Sequence, residues 1–259
     1  MVRVHIRPPR IMNVKTIKTR IFQPPKDDLF AFLKEALSQI KLKEKSVIVI
    51  TSKIVSISEG RCFEINSIPE KDELIKKEAD YYLSREASPG GHVMLTRKNN
   101  ILIPTAGIDE SNGKGYYILW PQNPYQSAKE IHDFLKKEFQ LKEFGVIISD
   151  SHCVPLRWGV SGIGIAYFGF YPLRDYRQKK DIFGRELKMT QVNLIDGMAA
   201  AAVLTMGEGD EQTPVAIIED IDFLQFKEFD PQKENPLIID ADEDIYAPLI
   251  KGVDWQRGL

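Results

Sequence analysis

The sequence predicts an α+β fold, and three observations support this prediction. Segments with apolar residues at helical spacing mix with β-branched strand segments, but without the steady alternation that a doubly wound parallel sheet requires. Of the 259 residues, 43% are hydrophobic and 28% are charged, which is enough apolar material for a sizeable core. The length exceeds one typical domain and falls short of three. We therefore expect a single unit over residues 1–259, with two interlocked subdomains as the alternative.

Charge and cysteine content exclude several classes of protein. The net charge of −2 offers no basic face, so nucleic acid is not an expected partner. The 2 cysteines, Cys62 and Cys153, lie far apart in the chain, which favours a reducing compartment over a disulfide framework. Residues 1–10 lack the apolar stretch of a signal peptide, and the longest apolar run, 198–204, is too short to span a bilayer. We therefore expect a cytoplasmic protein without membrane contact.

In the first half of the chain, helices and strands are predicted in turn. Asp27 or Asp28 can cap a helix whose apolar residues lie on one side. Residues 47–57 are predicted to form a strand, a polar kink and a second strand, because both flanking runs are β-branched. A polar helix over 74–83 follows, and residues 101–120 are predicted to form two short strands around a turn rich in glycine and asparagine.

In the second half, Ser127 and Glu130 are predicted to form a capping box in front of a helix. A buried strand then runs into Asp150, and the glycine-rich stretch 159–170 is predicted to be another strand. A helix of small residues follows and ends at the Gly207 turn. The acidic residues 220–259 contain several prolines, which indicates a C-terminal wrap around the body of the protein.

Three acidic residues share one sequence context: Asp109, Asp150 and Glu208 each lie where an apolar element ends in a turn. Carboxylates in such positions hold hard cations that bridge phosphates. Ser151 could add a hydroxyl ligand, and Asn112 could present its amide to a base or a sugar. Spacing alone leaves a simpler interpretation open, in which the aspartates form Asx turns and Glu208 is a solvated helix terminus.

Other chemistries have weaker support. The sequence lacks a phosphate-binding P-loop, so backbone N–H groups of the 206–213 turn would have to contact phosphates. His152 and Cys153 could suggest a nucleophile pair, but neighbouring residues of an extended segment point to opposite faces. We therefore expect non-catalytic histidines, including His5, His92 and His132, and a buried structural Cys153.

Five segments together resemble the family of coenzyme F420-0:gamma-glutamyl ligases, over about residues 20–220. They are TSKIVSISEGR, AGIDESN, VIISDS, DIFGREL and DGMAAAAVLTMGEGDEQTP, in the family's order and near its spacing. The resemblance implies an α+β fold with mixed or antiparallel sheets and flanking helices, in a two-domain subunit that forms an intertwined homodimer. It also implies a ligase that uses GTP and a divalent metal, Mg²⁺ or Mn²⁺, to join L-glutamate to an acceptor carboxylate through an acyl phosphate.

The resemblance also assigns roles to individual residues. Asp109 and Asp150 would hold one metal ion, and Ser151 and Glu208 the other. The GTP site would be lined by Ser52, Asn112 and the turn formed by Met206, Gly207, Gly209, Asp210, Glu211, Gln212 and Thr213. Lys53 is a candidate to replace a family lysine that is Ile57 here. Arg157 is a candidate to clamp phosphate or carboxylate oxygens, because a guanidinium fork suits planar oxyanions.

Departures from the family pattern concern the acceptor. The family's D-T-x-G-R-x-x-R becomes DSHCVPLR at 150–157, which loses one glycine and one arginine, and its D-E-x-A becomes DGMA at 196–199. Together, DSxxxPLRxG and GEGxEQTP resemble a branch proposed to act in folate metabolism. The acceptor is therefore expected to be coenzyme F420-0 or a folate. Two alternatives remain: a catalytically retired homologue that binds nucleotide or metabolite, and a transferase that uses Cys153.

Overall fold

The computed structural model describes residues 11–68, 70–228 and 230–259. The expectation about a signal peptide, and His5, fall on residues outside this range. The strands are β1 (Asn13–Ile17), β2 (Val47–Thr51), β3 (Cys62–Glu64), β4 (Tyr81–Tyr82), β5 (Leu95–Lys98), β6 (Ile101–Pro104), β7 (Tyr116–Ile118), β8 (Gly145–Cys153), β9 (Val160–Phe168), β10 (Leu173–Asp175), β11 (Gln191–Asn193), β12 (Val215–Glu219) and β13 (Gln256–Arg257). The α-helices are α1 (Leu29–Leu37), α2 (Ser52–Ser58), α3 (Lys71–Glu78), α4 (Pro124–Phe139), α5 (Leu194–Met206) and α6 (Ala247–Ile250).

The largest sheet has 5 strands in the order β1-β12-β2-β8-β9. Its pairs are antiparallel except for β2 and β8, which run parallel with Thr51 opposite Ser149. The sheet is therefore mixed, and the predicted α+β class is confirmed. The parallel pair also brings the chain that follows β2 next to the second half of β8.

The central strands of this sheet are apolar throughout and do not alternate with polar residues. This pattern is typical of a sheet that is covered on both faces. Ile48 and Ile50 of β2 face α1 and α4, whereas Val47 and Val49 face α5. This division follows from the two-residue period of a strand. Helix α5 can lie close against β9 because Gly162 has no side chain; a Cβ there would be 2.4 Å from the carbonyl oxygen of Ala199.

A second sheet, in the order β13-β4-β5-β6, packs with α3 around a separate buried cluster. The cluster contains Leu74, Ile75, Tyr82, Met94 and Ile108 among its residues. The C-terminal segment contributes the edge strand β13, which pairs with β4. None of the helices in the described parts of the chain combines the length and apolarity needed to cross a membrane.

Several element predictions are confirmed. Asp28 caps α1 by accepting hydrogen bonds from the backbone N–H groups of Phe30 and Ala31, at 2.9 and 3.0 Å. The strand predicted to reach Asp150 is β8, the glycine-rich strand is β9, and the small-residue helix is α5. Gly207 ends α5 with a φ of 82°, a left-handed conformation that favours glycine.

Two element predictions before residue 100 are wrong. The segment after Thr51 is the helix α2 and not a kinked second strand, because Ile54, Val55 and Ile57 bury one helical face in the core. Tertiary burial here overrides the β-propensity of branched residues. The helix over 74–83 ends earlier, at Glu78, and Tyr82 belongs to strand β4.

Residues 101–120 form two short strands around a turn, β6 and β7, as predicted, and these strands pair with β5 and β3. Two further predictions are corrected after residue 100. Asn123 caps α4, so Ser127 and Glu130 lie inside that helix and form no capping box. Cys153 is exposed, not buried, because it lies where β8 leaves the sheet.

Candidate active site

The candidate site lies at the edge of the large sheet where β2 ends beside β8. Because the two strands are parallel and in register, Ser52 and Lys53 at the start of α2 follow β2 next to Asp150 and Ser151. Asp150 is within β8 rather than after it, but a β-bulge between Ile148 and Ser149 shifts the register just before it. Such irregularities redirect side chains at functional sites.

Lys53 lies at the centre of the polar contacts. Its ammonium group is 2.7 Å from Asp109 Oδ2 and donates to the carbonyl oxygen of Ser111 at 2.8 Å. Asp109 also accepts the backbone N–H of Ser111 at 2.8 Å and its hydroxyl at 2.8 Å. Burial alone would raise the pKa of Asp109, but Lys53 and Ser111 outweigh it and hold that pKa below its usual value. Lys53 is thus the ion-pair partner of Asp109.

Among the residues that the structure describes, the hydrogen-bond partners of Asp150 are neutral. The indole N–H of Trp120 donates to its Oδ2, and the backbone N–H of Ser151 donates to its Oδ1 at 2.8 Å. Burial raises the pKa of Asp150 to about 6, and the nearby charge of Asp109 adds to this effect. Trp120 is a site residue that the sequence analysis missed, because no motif surrounds it.

Glu208 joins the same electrostatic environment from the end of α5. Its pKa is raised by partial burial and by the charges of Asp109 and Glu211, whereas Lys53 and the Ser151 hydroxyl act in the opposite direction. Asp109, Asp150 and Glu208, which are far apart in the sequence, therefore influence one another across one site. For Asp150 and Glu208, burial and the neighbouring carboxylates outweigh the charge of Lys53 and raise the pKa.

The turn that contains Glu208 is held by hydrogen bonds from several elements. Glu211 accepts the backbone N–H of Gly209 at 2.8 Å, and Thr213 donates its hydroxyl to the carbonyl oxygen of Met206 at 2.5 Å. Asn112 donates its side-chain amide to the carbonyl oxygen of Gly209 at 2.9 Å. The predicted nucleotide residues Met206, Gly209, Glu211 and Thr213 thus belong to one hydrogen-bonded turn, which Asn112 contacts.

The remaining members of that turn are anchored or exposed. The backbone N–H of Thr19 donates to the carbonyl oxygen of Gln212 at 3.0 Å, and Lys18 Nζ donates to that of Glu211 at 2.9 Å. Asp210 is exposed. Ser52 is buried with 5% of its surface exposed, beside Lys53. Lys18 and Thr19, outside every motif singled out from the sequence, join the turn to the chain that follows β1.

Arg157 lies apart from these contacts, in the exposed loop 154–159 between β8 and β9. Its neighbours Leu156 and Trp158 are 102% and 104% exposed. Its guanidinium has no ion pair within the part of the chain that the structure describes. The role of Arg157 as an oxyanion clamp stays a prediction.

The predicted metal ligands fit a hard cation by chemistry, since they are carboxylate and hydroxyl oxygens. Within residues 11–68, 70–228 and 230–259, however, no three His, Cys, Asp or Glu side chains are grouped to hold a metal ion. Asp109 pairs with Lys53, and Asp150 accepts the indole N–H of Trp120. The metal assignments of Asp109, Asp150, Ser151 and Glu208 stay predictions.

The alternative nucleophile has no support in the geometry. His152 and Cys153 are successive residues of β8, and strand residues in that relation point to opposite faces. Burial lowers the pKa of His152. His132 is buried on α4, where its ring stacks on Phe144 at a centroid distance of 4.2 Å.

Comparison with known proteins identifies the family. The model of the family described as F420-0:Gamma-glutamyl ligase matches residues 16–220. Coenzyme F420:L-glutamate ligase of Methanopyrus kandleri is 33% identical over 241 residues, which cover 86% of this chain and 92% of that protein. The ligase of the same name from Methanocaldococcus jannaschii is 36% identical over 83% of this chain and 89% of its own length.

A third relative, coenzyme F420:L-glutamate ligase of Methanococcus maripaludis, is 38% identical over 72% of this chain and 80% of its own length. The matched region contains β2, β8, α5 and every residue of the candidate site. These findings confirm the predicted family and the prediction that the protein is a ligase. The chain belongs to the F420-0:Gamma-glutamyl ligase family.

Proposed function

We propose that this protein is a γ-glutamyl ligase that joins L-glutamate to the carboxylate of a coenzyme through an amide bond. The observation that carries the proposal is the ion pair of Lys53 with Asp109, in a site where the charges of Lys53 and Asp109 also act on Asp150 and on Glu208 of the 206–213 turn. In a chain of this family, that arrangement suits a carboxylate that is activated by a nucleoside triphosphate. The location in the cytoplasm stays a prediction.

The proposed reaction has two steps. A carboxylate oxygen of the acceptor attacks the γ-phosphorus of GTP or ATP, and the nucleoside diphosphate leaves, so that an acyl phosphate forms. The neutral amine of glutamate then attacks the acyl carbon, phosphate leaves, and the amine loses a proton. Two divalent metal ions would neutralise the charge that develops on the phosphates, which is where most of the rate enhancement in phosphoryl transfer originates.

Different residues of this chain would hold the metal ions and bind the nucleotide. Asp109 and Asp150 would hold one metal ion, and Ser151 and Glu208 the other. Ser52, Lys53, Asn112 and the 206–213 turn would bind the nucleotide, with Lys53 in place of the lysine that is Ile57 here. Burial of Ile57 in the core supports this replacement, because that side chain faces away from solvent.

Replacing Asp150 by asparagine tests this assignment. Loss of one charge from a shared metal site should abolish turnover, whereas the melting temperature should stay near that of the wild type. Asp254→Asn is the matched control, since Asp254 is exposed in the C-terminal segment. Near-normal turnover of Asp150→Asn would refute the metal role. Nucleotide binding by the wild type without turnover on any acceptor would instead favour the retired homologue.

The acceptor is either coenzyme F420-0 or a folate. The names of the relatives support the first. The loop after Asp150 supports the second, because Val154 stands where the family carries an arginine, and a folate brings no phosphodiester that needs a cation. We favour the folate. Equal concentrations of both acceptors should give mainly glutamylated folate, and exclusive glutamylation of the deazaflavin compound would overturn this choice.

We also propose a homodimer. Six apolar side chains of the segments 154–159 and 182–189 and of α5 are strongly exposed, and such side chains mark an interaction site where they form one patch. They are Leu156, Trp158, Ile182, Phe183, Met189 and Leu204, with exposures from 84% to 104%. Sedimentation of the wild type should give twice the monomer mass, and Phe183→Asp should weaken association. A monomeric wild type at micromolar concentration would contradict the dimer.

A further inference from the structure

A buried tryptophan borders the candidate site. Trp120 follows β7 and has 1% of its surface exposed. Its indole N–H donates to Asp150 Oδ2, and its backbone carbonyl accepts the Nε–H of Arg61 at 3.1 Å. The residue thus has one contact in the site and another in the core.

The N–H of Trp120 fixes one degree of freedom of the Asp150 carboxylate. A carboxylate on a strand can rotate about its last bond unless both oxygens have partners. Ser151 N–H holds Oδ1 and Trp120 holds Oδ2, so the plane of the group is set. Each oxygen can accept more than one hydrogen bond or ligand, so lone pairs remain available. Because both donors are neutral, they leave the charge of the carboxylate to attract a cation.

The indole itself is held on several sides. Gly107, with a φ of 73°, lies directly against it, and a Cβ at that position would be 2.2 Å from the indole nitrogen. Lys98 Nζ lies 5.7 Å from the centroid of the ring. Lys98 and Arg61 both bind Glu78 Oε2 at 2.6 Å. Gly107 and Lys98 therefore restrict the position of the ring beside Asp150.

We infer that Trp120 is a positioning residue, whose indole N–H orients the Asp150 carboxylate for a divalent cation. The inference rests on the proposed function, in which Asp150 is a metal ligand. Groups that orient a ligating side chain affect metal affinity by about 10- to 100-fold when they are removed. Trp120 should affect the affinity for the cation by a similar factor while it leaves the fold in place.

The test measures Mn²⁺ binding directly, by the EPR signal of free Mn²⁺ during titration of the whole chain. Trp120→Phe keeps an aromatic ring and removes the N–H, and we expect it to bind Mn²⁺ about 10- to 100-fold more weakly. Trp255→Phe is the matched control, since it also removes an indole N–H, which donates to the carbonyl oxygen of Ile250 at 2.6 Å in the C-terminal segment. Its Mn²⁺ affinity should equal that of the wild type.

A second measurement does not depend on the stability of the Trp120 variant. The sequence has 3 tryptophans, so a chain that carries Trp158→Phe and Trp255→Phe retains Trp120 alone. Mn²⁺ should quench its fluorescence at the midpoint that EPR gives for the wild type. A merely structural role would lower the melting temperature of Trp120→Phe without changing its Mn²⁺ affinity.

The outcomes separate this inference from the proposed function. Wild-type Mn²⁺ affinity in folded Trp120→Phe, or a Trp120 fluorescence that Mn²⁺ does not quench, would overturn the positioning role and leave the ligase proposal intact. If the wild-type chain binds no Mn²⁺ at all, the metal assignment itself fails, and this inference fails with it.

Discussion

Replacement of Glu78 by glutamine should destabilise the protein by about 3 kcal/mol. Glu78, at the end of α3, is the common partner of Arg61 and Lys98, each at 2.6 Å. Burial raises the pKa of Glu78, but the two cations outweigh it and keep that pKa below its usual value. Burial lowers the pKa of Lys98 in turn. The substitution would leave two cations together without the carboxylate that both of them bind.

The magnitude follows from the burial of the three side chains. Removing one partner of a buried ion pair costs about 3–5 kcal/mol, because the remaining charge stays desolvated. The exposed fractions are 17% for Arg61, 16% for Glu78 and 8% for Lys98, so some solvent reaches the cluster and the lower end of the range applies. For a chain of this size, about 3 kcal/mol corresponds to a decrease in melting temperature of roughly 6–12 °C.

The assay is urea unfolding followed by circular dichroism, with Glu73→Gln as the matched control. Glu73 lies on the same helix and pairs with Lys76, but its side chain is 50% exposed. An exposed pair of this kind contributes only about 0.2–1 kcal/mol. Adding Lys98→Met to Glu78→Gln should recover part of the loss. Equal destabilisation by Glu78→Gln and Glu73→Gln would refute the reasoning, since it would mean that the cluster is not desolvated.

Two further predictions concern Cys153 and His132. Cys153→Ser should retain most activity in a glutamylation assay, because the proposed chemistry passes through an acyl phosphate; loss of activity together with rapid alkylation of the wild-type thiol would favour a cysteine mechanism. Burial lowers the pKa of His132, so the imidazole of His132 binds a proton more readily in the unfolded chain than in the folded chain. Stability should therefore be fully present above about pH 6.5 and fall as the pH decreases below it. In urea unfolding, the free energy of unfolding should decrease less from pH 8 to pH 5 for His132→Phe than for the wild type or for His92→Phe. An identical pH dependence in all three proteins would contradict this.

Much of the local structure could be predicted from short stretches of sequence. Asp28 caps α1, Gly207 ends α5, and the apolar run before Asp150 forms β8, as expected. These features depend on hydrogen bonds and periodicities that involve only a few neighbouring residues. Where packing decided the outcome, local reasoning was wrong. The β-branched segment after Thr51 became the helix α2 because its apolar residues complete the core.

The candidate site, too, was determined in part by local sequence and in part by the tertiary structure. The sequence by itself determined which carboxylates to consider, since Asp109, Asp150 and Glu208 share a context that needs no structure to recognise. Only the tertiary structure decided their partners: Lys53 pairs with Asp109, and Trp120, which no motif marks, donates to Asp150. These partners are separated by 30 or more positions in the chain. The parallel pairing of β2 with β8 brings the start of α2 next to Asp150, and Gly107 packs against the indole of Trp120. Short-range sequence patterns do not encode such contacts.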